Sequence, residues 1–174
     1  MIKENLKAYL HKYFEIYKNY MGTYPTVPYN EDKISSLWFG EVDDEEYIQW
    51  MFKEKNEQTT FVGLEDELEL TLPDAVKEFY NSFYFLQLQG FYNGECITFD
   101  DISDNRNILQ DLRTCIFTRE EKKYLQMGIY SNGDLPLCME IETGEIVWTD
   151  YDCNNVGKIA DSLDELLSKM TPMR

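Results

Sequence analysis

The chain is poor in the residues on which many enzymes and nucleic-acid-binding proteins depend. Its 174 residues contain one histidine, His11, and 16 lysines and arginines against 33 aspartates and glutamates. A single histidine leaves little scope for a nucleophile–base pair. A formal net charge of −17 repels the phosphates of DNA and RNA. The sequence therefore argues against direct nucleic-acid binding and against histidine-based catalysis.

Long apolar runs and closely paired cysteines are also missing. Charged residues interrupt every apolar run of the first segment, so we find neither a signal-peptide core nor a stretch of about 18 apolar residues that could span a bilayer. The cysteines lie 15 to 23 residues apart without a Cys-x-x-Cys pair, which disfavours zinc and favours buried thiols. These absences predict a cytoplasmic protein that does not insert into a membrane. The four cysteines are Cys96, Cys115, Cys138 and Cys153.

Phosphate-binding loops and nucleophile elbows are absent, and two groups of aspartates remain as candidate cation sites. Asp100, Asp101 and Asp104 lack the glycine and terminal glutamate of a calcium loop, and a helix N-terminus explains them better. Asp150 and Asp152 could hold a cation or simply end a strand. We therefore expect no cofactor, no metal and no enzymatic activity. A carboxylate-dependent hydrolase or metal-binding enzyme is the alternative from another class.

Aromatic residues are plentiful, with 13 Tyr, 10 Phe and 3 Trp, and they supply the apolar surface that a folded core needs. From Ile2 to Met21 the apolar residues recur every three or four positions, and Gly22 follows. This spacing predicts a long amphipathic N-terminal helix over about residues 2–22.

The remaining pattern predicts one α+β domain over residues 1–174, with an antiparallel or mixed sheet and flanking helices. Asn-Gly between alternating apolar residues is typical of a β-hairpin, and Pro73 suits the start of a helix. The predicted elements are a strand at Tyr47–Phe52, a helix through Leu72–Tyr80, a hairpin at Asn93–Gly94, a helix over about Ser103–Phe117, turns at Ser131–Asp134 and Glu142–Glu145, and a helix over Ile159–Met170.

Most of the negative charge is concentrated in one third of the chain. Between Glu31 and Glu78 there are 15 acidic residues and four lysines, a balance of −11, whereas the first helix carries +2. Trp38, Phe39 and Tyr47 lie among these acids, and aromatic groups in a field of one sign are typical of protein-binding surfaces. We therefore predict a basic protein partner. The candidate partner-binding residues are Asp43, Asp44, Glu45, Glu46, Trp50, Glu65, Asp66, Glu67 and Glu69.

The order of features resembles the SUKH superfamily, and most closely its Syd-like branch. The chain departs from many superfamily members in one place, since it has Asn81-Ser82-Phe83 where they carry Asn-Gly-Gly. The resemblance covers nearly the whole chain. It is carried by Tyr13-Phe14, Tyr47-x-x-Trp50, Leu72-Pro73-Asp74 with Phe79-Tyr80, the helix Leu109–Leu112, the hairpin Met139–Ile146 and the closing segment Ile159–Leu167.

The resemblance implies a binding protein rather than an enzyme. SUKH members are chiefly bacterial immunity proteins that neutralise a cognate toxin, often a nuclease, inside the producing cell. The protein after which the Syd-like branch is named is cytoplasmic and interacts with the SecY translocon through an acidic surface. We expect an immunity protein that binds a basic toxin, with a partner of the SecY translocon as the alternative. The oligomeric state stays open.

Overall fold

The computed structural model describes residues 1–131, 135–152 and 154–172. Within these ranges the helices are α1 (Ile2–Met21), α2 (Val62–Leu68), α3 (Asp74–Ser82), α4 (Ile108–Cys115) and α5 (Leu163–Lys169). The strands are β1 (Thr26–Pro28), β2 (Trp38–Phe39), β3 (Tyr47–Trp50), β4 (Lys53–Glu54), β5 (Phe83–Tyr84), β6 (Leu88–Tyr92), β7 (Glu95–Phe99), β8 (Ile116–Arg119), β9 (Lys122–Tyr130), β10 (Leu135–Glu140), β11 (Ile146–Thr149) and β12 (Val156–Ala160).

The strands form three antiparallel sheets. The largest has seven strands in the order β12-β11-β10-β9-β7-β6, with β8 paired to β9. A three-stranded sheet has the order β1-β3-β2, and β4 pairs with β5. Helix α1 packs against both α3 and α5. The predicted α+β class is confirmed, and its sheets are antiparallel.

Helix α1 forms as its periodicity predicts. Its apolar stripe is buried from Ile2 to Phe14, whereas Tyr20 and Met21 in the last turn are exposed. Gly22 ends the helix in the left-handed conformation (φ 68°), which glycine adopts without steric cost. The hydroxyl of Tyr9 donates a hydrogen bond to the carbonyl of Gln89 at 2.6 Å, which fastens α1 to β6. A Cβ at Gly90 would overlap that hydroxyl, so only glycine allows this close approach.

One buried cluster extends from Ile2 to Met170 and includes side chains from all five of these helices. Trp50 is completely buried within it, and its ring meets that of Phe14 edge to face at a centroid distance of 4.9 Å. Phe52 also contacts Phe14, at 5.3 Å. These aromatic contacts hold the small β1-β3-β2 sheet against α1.

Two predicted helices have different bounds in the structure. The helix predicted over Ser103–Phe117 is confined to α4, because the side chain of Asn107 caps it by accepting from the amide of Gln110. The predicted helix Ile159–Met170 begins only at Leu163, after Ser162 caps it in the same way. Ile159 belongs to strand β12 instead, where hydrogen bonds to β11 outweigh its helical spacing from Leu163.

The predicted turns are largely confirmed. Asn93 (φ 51°) and Gly94 (φ 84°) join β6 to β7 in the left-handed region that a tight hairpin requires. The segment Glu142–Glu145 connects β10 to β11. The strand predicted over Tyr47–Phe52 ends at Trp50. The turn predicted at Ser131–Asp134 is described only at Ser131, since 132–134 lie outside the described residues.

Candidate protein-binding surface

The first acidic segment is a folded loop between β2 and β3. Asp43 closes it, because its carboxylate accepts hydrogen bonds from the amides of Glu45 (3.0 Å) and Tyr47 (2.8 Å). The amide of Asp43 donates in turn to the carbonyl of Tyr47 at 2.9 Å. An aspartate that bonds the amide two residues later is a common turn former. Asp43 therefore has a structural task in addition to its charge.

The other carboxylates of this segment are exposed and uncompensated. We call Glu41, Asp43, Asp44, Glu45 and Glu46 the acidic loop. In the part of the chain that the structure describes, none of them lies within ion-pair distance of a lysine or arginine. Five like charges within six positions produce a local negative potential that attracts cationic groups.

Two aromatic rings lie on the sheet that carries this loop. Phe39 pairs with Gln49, so the two side chains share one face of the sheet with Tyr47, which is two residues before Gln49. Phe39 and Tyr47 are each 38% exposed. We call the acidic loop together with Phe39 and Tyr47 the loop face. It combines negative charge with accessible aromatic surface.

Trp50, which was predicted to bind a partner, lies on the opposite side of the same strand. Side chains alternate along a strand, so Trp50 and Ile48 point into the core while Tyr47 points outward. Trp50 has no exposed surface and cannot touch a partner while this sheet is folded. The prediction is corrected for this residue: it belongs to the core. In the sequence, Ile48 and Trp50 alternate with polar Gln49, and this period of two was the signal that could have revealed the burial of Trp50.

The second acidic segment, on and after α2, is partly neutralised within the protein. The carboxylate of Glu65 lies 2.8 Å from the ammonium of Lys77 and accepts from the amide of Leu72 at 2.7 Å. Burial raises the pKa of Glu65, but these two interactions outweigh it and hold the pKa below its usual range. Glu67 accepts two hydrogen bonds from Arg113 on α4. The spacing of residues in the sequence did not indicate that Glu65 would pair with Lys77 or that Glu67 would pair with Arg113.

Asp66 and Glu69 remain exposed on the same segment. Glu69 ends α2 in the left-handed region (φ 50°), and its carbonyl accepts from the ammonium of Lys123 at 2.8 Å. This segment is thus fastened to α4 and β9, whereas the acidic loop belongs to the small sheet. Among the described residues, no hydrogen bond or ion pair links the two segments.

In the first group of candidate cation ligands, the side chains of Asp101 and Asp104 already have partners within the protein. Asp101 is ion-paired with Arg106 at 2.6 Å. Asp104 accepts from the hydroxyl of Ser35 (2.7 Å) and from the amide of Ser36 (2.8 Å). Burial raises the pKa of Asp104, but these hydrogen bonds together outweigh it and hold the pKa below its usual range. Burial, and then the charge of Asp101, raise the pKa of Asp100. These aspartates precede α4 and do not cap it, which corrects that part of the prediction.

The second group of candidate cation ligands consists of Asp150 and Asp152. The carboxylate of Asp150 accepts from the amides of Asn154 (2.6 Å) and Asn155 (3.1 Å), which folds the turn after β11. Asp152 is exposed on that turn. Among the described residues, no group of three or more His, Cys, Asp or Glu side chains is arranged to hold a metal ion.

The cysteines follow the prediction only in part. Cys96 and Cys138 are buried, whereas Cys115 at the end of α4 is partly exposed. Cys153 lies outside the described residues. No helix in the described ranges has the length and apolarity that crossing a bilayer requires.

Comparison with known proteins agrees with the sequence resemblance. Residues 3–172 match the model of the family described as "Syd protein (SUKH-2)". Protein Syd from Shewanella pealeana is 26% identical over 175 residues, which cover 96% of this chain and 81% of the relative. The corresponding figures are 25% over 177 residues (96% and 81%) for Protein Syd from Shewanella piezotolerans, and 22% over 176 (97% and 81%) for that from Shewanella frigidimarina. The resemblance is confirmed, and the chain belongs to the Syd (SUKH-2) family.

Proposed function

We propose that this protein is a cytoplasmic binding protein whose loop face docks on basic cytoplasmic segments of the SecY translocon. The observation that carries the proposal is a set of five exposed carboxylates, none ion-paired within the described ranges, beside the exposed rings of Phe39 and Tyr47. Membership of the Syd family supports the choice of partner, because the protein after which the family is named interacts with the SecY translocon.

Electrostatics and burial have different tasks in such a complex. The acidic loop attracts a basic segment over a distance comparable with the Debye length, about 8 Å at physiological salt, and so accelerates encounter. Phe39 and Tyr47 contribute to the contact itself, since aromatic side chains are enriched among residues that dominate binding energy. Neither charge attraction nor aromatic contact requires a catalytic group, and we therefore propose a binding protein rather than an enzyme.

Co-sedimentation tests the partner directly. The purified protein is mixed with membrane vesicles that contain the translocon and, as the control, with vesicles of the same lipid composition that lack it. We expect sedimentation only with the translocon, and less of it at high salt because salt screens charge attraction. Equal sedimentation with both vesicles would show lipid binding and contradict the proposal.

An immunity protein that neutralises a toxin is the second candidate. The SUKH-2 relationship favours it, and the same −17 charge would attract a basic nuclease. Its test is titration of the toxin encoded by a neighbouring gene with the purified protein. Inhibition complete near one equivalent, without sedimentation on translocon vesicles, would support this candidate over the first. Absence of any inhibited toxin would contradict it.

A further inference from the structure

A cavity of about 530 Å³ lies apart from the loop face. Its lining includes Lys55, which follows β4, Tyr84 of β5, and the first residues of α4. This volume falls within the range of about 300–1,000 Å³ that small-molecule sites occupy.

Lys55 is a buried cation in this cavity. The residue is only 7% exposed, and its ammonium donates one hydrogen bond, to the carbonyl of Tyr80 at 2.9 Å. The ammonium also lies 4.8 Å from the centre of the Tyr84 ring. In the described part of the chain no carboxylate lies within ion-pair distance of it, and its two other N–H donors have no acceptor. Burial lowers the pKa of Lys55, and the charge of Glu57 offsets this only in part.

The first turn of α4 adds further donors to the same lining. The side chain of Asn107 accepts from the amide of Gln110 at 3.2 Å. The amides of Ile108 and Leu109 come before the first intrahelical bonds, and no acceptor among the described residues is bonded to them. The positive end of the helix dipole and the buried ammonium of Lys55 therefore belong to one cavity.

The remaining charges decide which anion fits. Arg106 also lines the cavity, but it is paired with both Asp101 (2.6 Å) and Asp111 (2.9 Å), so this group of three carries one net negative charge. Asp104 lines the cavity too, yet both of its oxygens are bonded to residues outside the lining. Lys55 is thus the one cation of the described lining without a carboxylate partner, and the surplus of carboxylates around it disfavours a dianion such as phosphate.

We propose that this cavity binds a monoanionic carboxylate that carries a small apolar group. Lys55 and the amides of Ile108 and Leu109 hold the carboxylate, while the apolar group lies on the side chains of Ile102 and Leu109. The carboxylate can belong to a free small molecule or to the C-terminus of a peptide. The site is independent of the proposed translocon partner.

Amide chemical shifts of the full-length protein test the site with three probes. These are butyrate, N-acetyl-leucine as the mimic of a peptide C-terminus, and the uncharged N-acetyl-leucinamide. We expect at least one carboxylate to cause saturable shifts at Ile108 and Leu109, and the uncharged amide to cause none. Binding of N-acetyl-leucine alone would identify a peptide C-terminus, and comparable binding of both carboxylates would identify a small molecule. Absence of saturable shifts with both, or tighter binding of inorganic phosphate, would overturn the proposal.

Two variants that each lose one positive charge distinguish binding by the cavity from the effect of the protein's overall charge. Lys55→Met should weaken carboxylate binding by about tenfold or more, because the buried counter-charge is lost. Lys53→Met, two residues away and exposed, should leave it unchanged. Equal weakening in both variants would overturn the proposal. If Lys55→Met fails to fold, the wild-type protein still tests the proposal. The pKa of Lys55 must rise when the carboxylate saturates the site, and a constant pKa would contradict carboxylate binding at Lys55.

Discussion

Arg113 donates two hydrogen bonds to the carboxylate of Glu67, at 2.9 Å from Nε and 2.6 Å from Nη2. The pair fastens α4 to α2 across 46 positions of sequence, and the ion pair between Glu65 and Lys77 fastens α2 to α3. Two of the four candidate acids in this segment thus hold the fold together. Among the described residues, no carboxylate of the acidic loop is paired with a lysine or arginine, and this difference makes the loop the stronger candidate for binding.

The charge of Glu65 should stabilise the fold. Glu65→Gln keeps an acceptor for the amide of Leu72 but removes the attraction to Lys77, and we expect a loss of about 1 kcal/mol in the free energy of unfolding. Urea denaturation at pH 7 measures this. Asp66→Asn, which neutralises the exposed neighbouring carboxylate, is the control and should leave stability unchanged.

The same pair of proteins gives a pH prediction. The pKa of Glu65 is lower in the folded than in the unfolded state, so its stabilisation is fully present above the unfolded value of about 4.3. It disappears as the pH falls through the folded value. The stability difference between wild type and Glu65→Gln should therefore vanish in acid. A difference that persisted there would show that geometry rather than charge holds this contact.

Trp50 should behave as a core residue. Trp50→Ala removes a completely buried ring that packs on Phe14, and we expect a loss of about 3–5 kcal/mol in unfolding free energy. Trp50→Phe should cost less, partly because the indole N–H that it removes has no acceptor among the described residues. Tyr47→Ala on the exposed face is the control and should cost less than about 1 kcal/mol. Equal losses at positions 47 and 50 would contradict the assignment of the two faces.

Calcium should not bind to the aspartates that precede α4. Asp101 is paired with Arg106, and both oxygens of Asp104 accept hydrogen bonds, so a cation would have to displace existing partners. We expect Tm to stay constant when calcium is added. A rise in Tm that Asp101→Asn abolished would instead support a metal-binding function.

The sequence predicted those parts of the fold that depend on local patterns. Helix α1 follows its apolar spacing to Gly22, and the Asn93-Gly94 hairpin follows from two residues that adopt positive φ readily. Strand β12 was missed because Ile159 has helical spacing from the residues of α5, and only pairing with β11 decides its conformation. Local spacing cannot reveal a hydrogen-bonded neighbour that comes from elsewhere in the chain.

The candidate site shows the same limit. The acidic loop was visible in composition, but composition does not distinguish an uncompensated carboxylate from one with a distant partner. Glu67 and Arg113 meet only in the folded chain. The same holds for Lys55, whose burial follows from packing beside Tyr80 and Tyr84 rather than from any motif.

We propose that the loop face, rather than net charge alone, recognises a basic partner. A triple reversal of the loop to lysine spares Asp43, because Asp43 closes the turn. A control variant reverses three exposed glutamates elsewhere, so that each variant has a net charge of −11 instead of −17. The loop variant changes Asp44, Glu45 and Glu46, and the control changes Glu120, Glu121 and Glu142.

The decisive measurement is the association rate constant of wild type and both variants with the purified SecY translocon at low and at high salt. We expect the loop variant to associate about tenfold more slowly than wild type at low salt, the control to remain close to wild type, and the differences to shrink at high salt. Equal slowing in both variants, or none in the loop variant, would contradict the claim that the loop face binds the partner.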